Sequence, residues 1–359
     1  MRSLVRTAAA LITLTLASTL LAQTTLLALS KRDHTLSVID PTTLHVLYTL
    51  PVGPDPHEVI ASTDGTRAYA SNYGFGAYHT LAVLDLVHHR ALPSIDLGPL
   101  TGPHGLTFVG NKLYFTAEGA KAIGRFNPAT QTVDWIMGTG QNRTHMIYVA
   151  PDLEHIITSN VASGTLSLID LQLTHMGPPP GMHMGPPNIQ HTPNMHPPAG
   201  APPGPPPAHK DWNETVIPVG NGSEGFDLSP DHKEIWVANA QDGTISIIDY
   251  AAKKVVATLH PNTESANRLK FTPDGAHVLV SLLGNPDLVI LDAHTRKVIK
   301  RLPIGTGAAG ILMDPTGNRA FVACTPDNDI AIINLQTLTL TARIPNIPEP
   351  DGMAWATTP

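Results

Sequence analysis

The chain has 359 residues and a formal net charge of −7, with no basic run to offset it, so a nucleic-acid binder is excluded as a working assignment. Only 14% of the residues are charged and 5% aromatic. The 34 prolines and 29 glycines suit short strands and tight turns, not long helices.

The chain opens MRSLVRTAAALITLTLASTLLAQTT, with Arg2 and Arg6 ahead of a mostly apolar run that ends at Ala22. This pattern predicts a signal peptide over residues 1–23 and an exported protein, periplasmic or extracellular. The run is too short and too rich in small residues for a comfortable membrane span, so no transmembrane anchor is expected after cleavage. The sole cysteine, Cys324 in the apolar stretch AFVAC, cannot form an internal disulfide and reads as a small core residue. Burial must therefore stabilise the fold.

From there a motif recurs: an alternating β run, then Asp or Asn, then a turn. It ends at Asp40, Asp85, Asn127, Asp170, Asp249, Asp292 and Asn334. The intervals lie near 43 residues except between Asp170 and Asp249, which holds about 36 more. Within one repeat, GFDLSPDHKEIWVANAQDGTISIIDYAAKKVVATL (225–259), four strands alternate with Pro-Asp and Asp-Gly turns. Such a meander cannot bury both faces alone, whereas seven arranged radially can. The expected fold is all-β: a single seven-bladed β-propeller domain of four-stranded antiparallel blades over 24–359. TLLALS matches a second strand and the terminal DGMAWA a first strand, so the C-terminal strand should close the first blade.

The phrases PDHKEIWVANAQDGTISIIDYAAKKVVATL, PDGTRAYASN, PDLEHIITSN and FTPDGAHVLV resemble the bacterial YVTN β-propeller repeat family, with YASN, ITSN and WVAN as variants of its tetrad. The resemblance covers roughly residues 25 to 359. It implies a secreted propeller with a surface or binding role, and names no chemistry.

Aligning the seven first strands (PHEVIAS, PHGLTF, THMIYVA, SEGFDLS, ANRLKFT, AAGILMD, PDGMAWA) puts one residue per blade at the channel mouth. These are His57, His104, His145, Glu224, Asn267, Ala309 and Asp351. Three imidazoles on consecutive blades suit a divalent transition metal, zinc or copper, with Glu224 or Asp351 as a further ligand or base. The alternative is a hydrated polar channel. Asn72, Glu118, Asn160 and Asn239 end the second strands and are expected to rim the same face as ligand contacts. Arg143 and Arg268 beside the ring suit a carboxylate or phosphate.

The long interval is a Pro/Met/His-rich insertion, assigned to 173–211 and to disorder, in the loop between strands three and four of blade four. Its His175, Met176, Met182, His183, Met184, His191, Met195 and His196 are soft-metal donors of the kind that select Cu(I). No P-loop, dinucleotide fingerprint, nucleophile elbow or Cys-x-x-Cys occurs. Three functions follow. The first is an exported binding propeller, monomeric, taking a small molecule, a cell-envelope component or a protein. The second is a metal-assisted lactonase, lyase or hydrolase at the mouth. The third is copper handling by the insertion.

Overall fold

The computed structural model describes residues 23–174 and 209–359. The leader and the soft-metal donors of the insertion lie outside the described residues. The fold is the expected one: seven four-stranded antiparallel sheets, blades 1 to 7. Blades 2 to 7 run in order over residues 56–96, 103–138, 144–218, 223–259, 266–303 and 308–345. Blade 1 combines the terminal strand Pro350–Thr358 with Gln23–Ser30, Thr35–Ile39 and Val46–Pro51, in that order from the axis outward. Gln23, assigned to the leader by sequence, is already paired there with Thr358.

The strand patterns follow from position. Second and third strands pack between neighbouring blades on both faces and read as nearly continuous apolar runs, such as EIWVAN and TISIID. Fourth strands alternate, as in KVVATL, because one face meets solvent. Among the described residues seven hydrophobic clusters form, one between each pair of adjacent blades. Cys324 sits fully buried in one of them, its thiol pushed up to about 12 by burial.

The recurrent Asp or Asn ends the third strand because its side chain accepts a backbone N–H inside the next turn. Asp40 does so from Thr42 at 2.8 Å, Asp249 from Ala252 at 2.8 Å and Asn334 from Gln336 at 2.9 Å. Asp170 has no such turn. The hairpin of blade 4 continues through Thr165–Thr174 and His209–Pro218, and Asp170 pairs with Lys253 instead. Residues 173–174 and 209–211, which the sequence assigns to the insertion, are therefore paired strand. The backbone continues β pairing there, and the hairpin points to the face opposite the first-strand entries.

Around the axis, first strands of adjacent blades approach to backbone contact. A Cβ on Gly105 would lie 2.5 Å from the His145 carbonyl oxygen, and one on Gly352 would lie 2.3 Å from that of His57. Second-strand hydroxyls fasten these strands together. Thr116 accepts from Gly105 N at 2.9 Å and donates to the His145 carbonyl of the next blade at 2.6 Å. Ser281 does the same between Arg268 N (3.1 Å) and the Ala309 carbonyl (2.6 Å).

Candidate functional site

Every first strand carries a register break at its entry, for example between Pro56 and Val59 and between Ala266 and Leu269. The two residues inside the break leave the ladder, and the first of them turns toward the axis. All seven residues so placed, His57, His104, His145, Glu224, Asn267, Ala309 and Asp351, line one cavity of about 600 Å³. Lys31, Tyr73, Phe75, Arg143, Arg268, Leu283, Gly307, Thr325 and Pro326 complete its wall.

The second residue of each break is Glu58, Gly105, Met146, Gly225, Arg268, Gly310 or Gly352. Only blades 2 and 6 carry charges at this level, and they face each other across the ring. Arg268, 5% exposed, reaches over the axis to hydrogen-bond Glu58. This crossbar floors the cavity, so the channel mouth is a cup.

Two of the three histidines, His57 and His145, are held by carboxylates. His57 places Nε2 3.1 Å from Asp55 and Nδ1 3.5 Å from Asp351, which also pairs with Lys31 at 3.3 Å. His145 bonds Glu118 through Nδ1, and its Nε2 lies 2.9 Å from Glu224, within ion-pair reach though off a hydrogen-bond line. Tyr73 donates to Glu118 at 2.5 Å, and Arg143 lies 3.3 Å from the same carboxylate. His104 is 3% exposed and lies against His145, centroids 3.8 Å apart and planes tilted by 35°, with an unpartnered Nδ1. Among the described residues its side chain makes no hydrogen bond.

These surroundings drive two touching imidazoles apart. Full burial opposes charge on His145, but Glu224 and Glu118 overcome it and raise its pKa from an ordinary 6.5 to about 9. Burial, and then the charge on His145, hold His104 well below its ordinary value, so it stays neutral. Burial works against Glu224 too, yet the charge of His145 keeps its carboxyl down at about 2. His145 therefore stabilises the fold fully below about pH 6.5, and its contribution disappears as pH rises through about 9. Melting temperature is expected to fall across that window in the native chain, and to fall less in His145→Gln. Parallel curves for the two proteins would contradict the assignment.

Both ring nitrogens of His57 and of His145 face carboxylates, and among the described residues no three His, Cys, Asp or Glu side chains gather as metal ligands. Three of the four second-strand residues also have another role. Asn72 donates to the Val52 carbonyl at 3.0 Å, Asn160 to Ser167 at 2.9 Å, and Asn239 to Thr244 at 2.9 Å. They are buried and fix loop and strand positions without lining the cavity. Glu118 stands behind the wall and orients His145. Lys31, Asp55, Tyr73 and Phe75 were not singled out from sequence, because the loops that carry them do not repeat from blade to blade.

Residues 208–325 match the family described as the cytochrome D1 heme domain. Protein NirF of Stutzerimonas stutzeri is 27% identical over 97 residues, 26% of this chain and 25% of that protein. The chain thus matches about a quarter of the length of this curated relative. Two solved structures superpose with a TM-score of 0.68, each over 93% of this chain and 99% of the other. One is a protein of unknown function from Desulfotomaculum acetoxidans, 11% identical. The other is a provisionally named 6-phosphogluconolactonase of Bacteroides uniformis, 14% identical. At such identities the likeness is one of fold.

The heme-domain match covers the fourth strand of blade 4, blades 5 and 6 and part of blade 7. It brings Glu224, Asn267, Arg268 and Ala309 to the cavity, and no imidazole. No helix among the described residues is long and apolar enough to cross a membrane.

Proposed function

We propose that this chain is an exported binding propeller of the YVTN type, whose channel-mouth cup takes a small organic anion. The observation that carries the reading is how charge is layered. Lys31, Arg143 and Arg268 face the cavity, while Glu58 and Glu118, two of the carboxylates that hold them, do not line it. Protonated His145 adds positive charge, and Glu224 and Asp351 are the carboxylates on the lining. Cations oriented from behind are pre-organised for an anion and lose little freedom when it arrives. The volume lies within the range of small-molecule sites, and the crossbar limits entry to one face.

A melting screen tests this. The panel holds mono-, di- and tricarboxylates, inorganic phosphate, and a tetrapyrrole polycarboxylate, included because the heme-domain match supplies Arg268. At least one anion is expected to raise the melting temperature in proportion to the logarithm of its concentration, less so at high salt. Arg143→Gln should abolish the shift. If no anion shifts the native chain at low salt, the reading fails.

A further inference from the structure

The cup is two-sided, and its sides differ in kind. On blades 2 and 3 four rings form one wall. Tyr73 meets His57 at 4.8 Å, His104 at 5.2 Å and Phe75 at 6.1 Å between centroids. Across the axis, blades 6 and 7 present Leu283, Ala309 and Pro326 with Asn267 and Thr325. A flat apolar body fits between an aromatic wall and an aliphatic one.

Phe75 is the unusual member. It is 90% exposed, yet its backbone is fixed at φ 50° between Gly74 and Gly76, both also at positive φ. A bulky residue in that region is strained and persists only where neighbours hold it. Here they do. Asp55 accepts from Gly74 N at 2.9 Å, Ala77 N closes the turn on the Gly74 carbonyl at 3.0 Å, and Gly102 N of the neighbouring blade bonds the Tyr78 carbonyl at 2.7 Å. A Cβ on Gly102 would lie 2.8 Å from the Gly76 Cα, so blade 3 buttresses the loop directly. The result is a solvent-facing phenyl ring carried on a held backbone at the lip of the cavity.

The second observation is His104. A nine-tenths-buried imidazole on a cavity wall without a hydrogen-bond partner is costly unless something arrives to complete it. A neutral imidazole carries one acceptor nitrogen and one N–H donor, so a hydroxyl, which both donates and accepts, completes it in either tautomer.

We propose that the ligand is an aromatic carboxylate bearing a hydroxyl, its ring on Phe75 and Tyr73, its carboxylate on Arg143 and Lys31, and its hydroxyl at His104. This rests on the organic-anion reading and narrows it.

Calorimetric titration of the protein with 4-hydroxybenzoate, benzoate, cyclohexanecarboxylate and adipate separates the two levels. 4-Hydroxybenzoate is expected to bind tightest. Phe75→Ala should weaken it about five- to tenfold and leave adipate unchanged. His104→Phe should erase its advantage over benzoate. Phe75→Leu, which keeps apolar bulk without a ring, should fall between native and Phe75→Ala, and it guards against a collapsed loop. Equal affinities for all four anions, or indifference to Phe75→Ala, would overturn this inference and leave the anion reading standing. Binding of phosphate or a tetrapyrrole polycarboxylate with none of these four would do the same. No binding of any anion would overturn both.

Discussion

A chain ending at Glu349 is expected not to fold. The missing strand, Pro350–Thr358, is the innermost strand of blade 1 and pairs with Gln23–Ser30 from Gln23–Thr358 to Ser30–Pro350. It buries Met353, Ala354 and Ala356, and Trp355 donates to the Met313 carbonyl of blade 7 at 2.7 Å. Gly352 packs on the first strand of blade 2. The strand therefore joins blade 1 to both neighbours, and without it the ring has an open gap and a bare strand edge. Each large buried apolar side chain contributes about 1.5–3 kcal/mol, and a whole domain retains only about 5–15 kcal/mol. Loss of Met353, the half-buried Trp355, a β ladder and ring closure together exceeds that margin. Trypsin digestion and a circular-dichroism melt should show a protease-sensitive chain with no cooperative transition. Replacing residues 175–208 by a short turn is expected to leave the same melt nearly unchanged, because the hairpin it leaves ends on the outer edge of one blade.

Arg268→Met is expected to destabilise the chain by about 3–5 kcal/mol, the typical effect of leaving one member of a buried ion pair alone. Arg268 is 5% exposed, and Glu58, on the far side of the axis, would keep its charge in a cavity floor with no cation opposite. The double variant Arg268→Met, Glu58→Leu should recover most of that loss, because an apolar pair of similar volume needs no desolvated charge. Urea unfolding of the four members of the cycle measures the coupling directly. Near-additive effects would mean that the two side chains do not meet across the channel. The variants also separate stability from binding, since the double variant folds but lacks a cation of the cup.

The fold and the ring of seven were legible because the repeat is strict. Once DPHE, GPHG, RTHM, GSEG, SANR, GAAG and EPDG are aligned, the first residue of each register break falls on one circle. The crossbar was present in the same alignment. Where blades 3, 5, 7 and 1 need glycine for backbone contact, blade 2 has Glu58 and blade 6 has Arg268. Residues that do not obey the repeat stayed hidden. Tyr73 and Phe75 belong to a connection, YGFGAYH, longer than its counterparts. Lys31 comes from a turn whose side chain reaches the mouth only because blade 1 is closed by the other end of the chain. Asn72, Asn160 and Asn239 were expected to rim the cavity because strand direction brings them to the correct face. Direction does not fix where a side chain turns, and unsatisfied neighbouring carbonyls and hydroxyls take these amides inward. Radial equivalence brings three imidazoles together, and Asp55, Glu118, Glu224 and Asp351 stand against the nitrogens of two of them.

The most direct measurement is calorimetric titration of the protein, native and Arg143→Gln, with the anion that gives the largest melting shift, at two salt concentrations. One anion should bind per chain, more weakly at the higher salt, and at least tenfold more weakly to Arg143→Gln. Undiminished binding to Arg143→Gln, or no binding to the native chain, would contradict the assignment of the channel mouth as an organic-anion site.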